Sequence, residues 1–103
     1  MTMRVVWKFT LKAWEKTVPM PDEAEVLSCD FQGELLQVWA MVDPSKPPRD
    51  RGFSVIPTGH MFGPPIGEFV GIAHHREHGL VFHVFDHGYR PTPSVCFNKQ
   101  ESE

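Results

Sequence analysis

In EVLSCDFQGELLQVWAMV, residues 25–42, apolar side chains recur at every second position on either side of Gln32-Gly33. A period of two is the signature of a strand with one buried face, and a glycine in a two-residue break between two such runs is a hairpin turn. A turn at Gln32-Gly33 sets Phe31 opposite Glu34, Cys29 opposite Leu36 and Leu27 opposite Val38. Leu27, Cys29, Phe31, Leu36, Val38, Ala40 and Val42 then share the core face. The other face carries Ser28, Asp30 and Gln37 beside Trp39 and Met41, so it is partly wet or covered by something else.

The same alternation extends to both sides of this hairpin. In VVWKFTLK (5–12), Val5, Trp7, Phe9 and Leu11 face inward while Lys8, Thr10 and Lys12 face out. Pro19 and Pro21 make Ala13–Glu25 mainly a connection, with Ala13–Lys16 either extending the first strand or forming one turn of helix. The polar segment DPSKPPRDRG (43–52) reads as a surface loop before the strand FSVIPT (53–58). GHMFGPPIG (59–67) is a second loop, and EFVGIAH (68–74) pairs with LVFHVFD (80–86) through a turn at REHG (76–79). That register sets His75 opposite Leu80, His74 opposite Val81, Ile72 opposite His83 and Glu68 opposite His87. Six short strands with turn signals between them predict an all-β fold, a small single-domain antiparallel sandwich or partly open barrel over residues 1–90. Residues 91–103 read as an extended tail whose SVCF portion docks on the core and whose NKQESE end is disordered.

At 103 residues the chain has room for one core, and 41% hydrophobic and 12% aromatic residues are enough to build it. A net charge of −3 supplies no basic field, so general nucleic-acid binding is not expected. No apolar run has the roughly 18–20 residues that a membrane span needs, and the N-terminus alternates where a signal peptide would be continuously apolar. The expectation is a cytoplasmic protein. Cys29 and Cys96 match no CxxC spacing and read as reduced thiols. There is no P-loop, dinucleotide fingerprint or GxSxG elbow, so no cofactor is expected. The carboxylates Asp22, Glu23 and Glu25 cluster in what reads as a solvated turn.

Three groups of residues are candidates for function. Arg49 and Arg51 precede the fourth strand while Thr58, Gly59 and His60 follow it; arginines with converging backbone amides suit a small phosphorylated ligand. Set against this, the two ends of a strand are far apart unless the loops fold back, and Asp50 can pair locally. The second group is apolar: Met61, Phe62, Pro64 and Pro65 crowd a segment that should be polar, which marks an interface with a protein partner or a homo-oligomer contact, or a loop folded onto its own core. The third is imidazole. Five of the six histidines lie between Ala73 and Gly88, and His74 and His83 fall diagonally on one face. With His60 or His87 as a further ligand, or Glu68 as a carboxylate ligand, they are a weak metal candidate. In the plainer reading His75 and His78 decorate a solvated turn and His83 is hydrogen-bonded.

The order WKF, MPDEAEVLSCDFQ, LLQVWAMVDPSKPP, FSVIPTGHMFGPPIGEFVGIA and GLVFHVFD resembles a family of short phage and prophage proteins carrying MP..A..LS..Q, LWA.VDP, TGH, G.F.GT and VFHVF signatures over roughly residues 4–86. Gly71-Ile72-Ala73 departs from the GT element, and the turn from His74 to His78 is particular to this chain. The resemblance implies a non-enzymatic binding protein active against host defence, one that blocks a host protein or sequesters a nucleotide signal. The rival expectation is a metal-dependent enzyme built on His74 and His83.

Overall fold

Seven strands, all antiparallel, account for the regular structure of a computed structural model that describes residues 3–12, 17–64 and 67–91. They are β1 (Val5–Leu11), β2 (Thr17–Pro21), β3 (Glu25–Gln32), β4 (Leu35–Val42), β5 (Pro48–Pro57), β6 (Glu68–His75) and β7 (Leu80–Tyr89). One sheet has the order β1-β4-β3 and the other β2-β5-β7-β6. No helix occurs among the described residues. β3 packs along β6, and β1 along β2, without a backbone ladder at either seam. Two open sheets therefore enclose one core, and the barrel is not closed.

β4 lies at the centre of its sheet because its inward row, Leu36, Val38, Ala40 and Val42, is buried throughout. Phe53, Ala73 and Val84 of the second sheet join the same core cluster. The β3–β4 turn sits one residue later than expected, at Gly33-Glu34. Gly33 takes a positive φ of 62° at the first turn position, and Cys29 pairs with Val38, not Leu36. The pairing moves by two residues, so each side chain keeps its face. Leu27 is the exception. A bulge between Val26 and Ser28 turns Leu27 outward, where it is exposed, and sets Val26 against the core.

β2 corrects the expected connection over 13–25, of which residues 13–16 lie outside the described residues. Proline is tolerated on an edge strand, where a missing N–H need not break a ladder, and β2 pairs only with β5. Pairing with β2 starts β5 at Pro48, so Arg49, Asp50 and Arg51 are strand residues and not a surface loop. β7 in turn continues to Tyr89, past the expected end at Asp86. The β6–β7 register is as expected from His75–Leu80 to Ile72–His83. A bulge at Val70 then sets Glu68 opposite Asp86, not His87. At the start of β6, Gly67 has φ 80°, and a Cβ there would lie 2.5 Å from the Asp86 carbonyl oxygen.

At the β3–β6 seam a side chain does the work of a ladder. The Asp30 carboxylate accepts from the Phe31 amide at 2.8 Å and the His74 amide at 3.3 Å, and Arg76 lies 3.6 Å away. The Phe31 amide above all, then the His74 amide and Arg76, hold this carboxyl below its ordinary range. Next to it Cys29 is buried, and burial together with the Asp30 charge pushes its thiol up to about 11. Thiolate is the reactive form. In a Cys96→Ser variant at pH 8, iodoacetamide is therefore expected to modify Cys29 only after denaturation, as read by intact mass; rapid modification of the folded protein would contradict this burial.

Candidate functional site

Arg49 and Arg51 alternate along β5 and point to the same side. The Arg51 guanidinium donates to Asp86 through Nε at 2.9 Å and Nη2 at 2.6 Å, and to the Ala24 carbonyl through Nη1 at 2.8 Å. Its Cζ lies 4.6 Å from the centroid of the Tyr89 ring. The two side chains of this fork are only 11% and 9% exposed. Burial opposes the guanidinium charge, but the Asp86 hydrogen bonds and charge outweigh it and raise the pKa. Arg49 donates to Asp22 at 3.0 Å and to the Arg90 carbonyl at 3.3 Å, with its Cζ 4.9 Å from the same ring. The Tyr89 hydroxyl donates to the Pro21 carbonyl and accepts from the Ala24 amide. Both arginines thus hold the β2–β3 connection and the end of β7 onto β5.

Thr58, Gly59 and His60 lie beyond the opposite end of β5. At about 3.3 Å per strand residue, Thr58 is about 23 Å along the chain from Arg51. The Thr58 amide and hydroxyl both donate to the Val81 carbonyl, at 3.1 and 3.2 Å, and the His60 amide donates to the Pro57 carbonyl at 3.2 Å. The structure does not bring the arginines together with Thr58, Gly59 and His60 into one anion site. His83 Nε2 is engaged 3.0 Å from the Thr58 hydroxyl, and His87 Nε2 pairs with the Ser54 hydroxyl. His74 is exposed on the same outer face.

That outer face of the second sheet is apolar along its middle. Phe69 pairs with Phe85, and Ile72 and Ile56 flank His83. Phe62, from the loop after β5, packs its ring 6.4 Å from that of Phe85, whose ring is 5.6 Å from that of Phe69. Met61 is 99% exposed, and Phe62, Phe69 and Ile72 are 57%, 60% and 56% exposed. Pro64 is exposed beside them, while Pro65 lies outside the described residues. The sequence placed Met61 and Phe62 in a candidate interface; Phe69 and Ile72, read as ordinary strand residues, extend it because β6 is an edge strand whose outer face nothing among the described residues covers.

A second cluster forms at one end of the seam. Glu34 of the β3–β4 turn, His75 at the end of β6 and His78 of the β6–β7 turn each offer a ligand atom within 4.8 Å of the others. His75 Nε2 is 3.2 Å from Glu34 Oε1, its ring stacks on His78 at 4.8 Å, and Phe31 meets it edge-on at 4.9 Å. The sequence pointed to His74 and His83. The donors that converge are instead the two histidines read as turn decoration, with a glutamate from the other hairpin.

These features define a class: a small all-β domain of two open antiparallel sheets, with one aromatic outer face that no other described residue covers. Residues 3–93 match the family described as a domain of unknown function, DUF7352, and the chain belongs to that family. No curated protein and no solved structure matches the chain significantly. No helix among the described residues is long and apolar enough to cross a membrane.

Proposed function

We propose that this domain is a non-enzymatic binding module of phage or prophage type that docks the outer face of its second sheet on a host protein, in the manner of a counter-defence factor. The exposure of Met61, Phe62, Phe69 and Ile72 on one surface carries this reading. Burying apolar surface is worth roughly 25 cal/mol per Å², and contiguous exposed apolar patches on small domains mark contact sites. Aromatic residues there make effective anchors, and the hydroxyl-paired His83 and His87 supply a polar setting around them. The likeness of residues 4–86 to short phage proteins supports the setting. Sequestration of a nucleotide has weaker support, because Arg49 and Arg51 are already engaged by Asp22, Asp86 and Tyr89.

The test is capture of the partner from host lysate, followed by affinity measurement with Phe62→Asp and Phe69→Asp. Both positions are exposed, so the melting temperature should hold, while each variant should lose about 30-fold or more in affinity, the scale of an interface hot spot. Sedimentation of the protein alone separates a host partner from a second copy. Unchanged affinity in both variants would remove this face from the interface.

A further inference from the structure

We propose that Glu34, His75 and His78 form a binding site for one divalent transition-metal ion of the zinc class, clipping the β3–β4 turn to the β6–β7 turn. The three donors come from two hairpins that belong to different sheets, yet they meet within 4.8 Å. Two imidazoles and one carboxylate suit zinc, and three protein ligands leave a fourth position for water. Bonds of about 2.0–2.1 Å at tetrahedral angles set neighbouring donor atoms roughly 3.3 Å apart, and His75 Nε2 and Glu34 Oε1 are already at 3.2 Å.

The burial of one donor favours a fixed site. The His75 side chain is only 9% exposed, and the ring nitrogen that it turns toward Glu34 is Nε2. An imidazole binds one ion through one nitrogen, so Nε2 is the donor His75 supplies. Phe31 fixes the His75 ring from one side, which makes it the anchored donor, while Glu34 and His78 are exposed and free to turn onto the ion.

The site stands apart from the apolar docking face and tests separately from it. The full chain, stripped with EDTA, is titrated with zinc chloride alone by calorimetry and by thermal melting, with magnesium as the control. One ion per chain and a melting temperature that climbs with zinc but not with magnesium are expected, since a ligand that binds only the folded state stabilises it by mass action. His78→Ala and Glu34→Gln alter exposed turn residues and should fold. Each removes one of three protein ligands, so each should weaken zinc by more than about tenfold and shrink the thermal shift at a fixed zinc concentration, while His74→Ala leaves both intact. No saturable zinc binding would overturn the proposal, as would stoichiometric binding that survives both turn variants or is lost with His74→Ala.

Discussion

Replacing Arg51 with methionine is expected to cost about 3–5 kcal/mol of folding stability, the range for breaking a buried ion pair by removing one partner. The reason is what stays behind. Asp86, 9% exposed, keeps, among the described residues, only the Gly88 amide at 2.8 Å once the guanidinium has gone, and the Ala24 carbonyl loses its donor from Nη1. At roughly 4–8 °C per kcal/mol for a domain of this size, the melting midpoint falls by more than about 10 °C. The double variant Arg51→Met, Asp86→Leu should recover most of the loss, because an apolar pair of similar volume needs no charge compensation. Urea unfolding of the wild type, each single variant and the double variant measures the cycle. Were Arg51 instead a free ligand-binding residue, Arg51→Met would change stability by less than about 0.5 kcal/mol, and a value that small would refute the structural role assigned to it.

The sequence's legibility follows from which features repeat and which do not. Alternation along 5–11, 25–42 and 68–86 is enough to find one hairpin in each sheet and the inward row of Leu36, Val38, Ala40 and Val42, because burial acts on each second position alike; Met20 and Ala24, in a stretch that reads as connection, carry no such signal. The bulges at Leu27, Val70 and His87 were hidden, since one inserted residue carries no compositional mark. Leu27 shows the consequence: an apolar residue in correct phase was carried to the solvent side. β2 was hidden for a different reason. Pro19 and Pro21 read as breakers, and only pairing with a single neighbour makes them acceptable in a strand.

The candidate sites were less legible because they join distant segments. Asp22 with Arg49 and Asp86 with Arg51 are separated by 27 and 35 residues, so two arginines that look free in the sequence are engaged in the fold. Glu34 meets His75 across 41 residues and between two sheets, a meeting no local spacing announces. Met61 and Phe62 were readable because an apolar loop is anomalous wherever it lies. Phe69 and Ile72 were not, since the same alternation fits an inner or an outer face until the sheet order is known.

Phe53→Ala is expected to cost about 3–5 kcal/mol, the range for truncating a buried phenylalanine. Phe53 is 2% exposed and sits in β5, which is bonded to β2 on one side and β7 on the other, so the backbone cannot close over the cavity. It also pairs directly with Asp86. Loss of its ring therefore opens the Arg51–Asp86 fork to water, and Phe53→Ala with Arg51→Met should be non-additive by about 0.5–3 kcal/mol, as neighbouring residues are. Against a total stability of about 5–15 kcal/mol for a natural domain, the two together should leave the chain largely unfolded, which far-ultraviolet circular dichroism would read. A cost for Phe53→Ala below about 1 kcal/mol would mean that β5 does not cross the core. The same strand turns Ser54 and Ile56 to the outer face, so lost partner binding in Phe53→Ala should track lost fold, whereas Phe62→Asp should lose binding with its melting temperature intact.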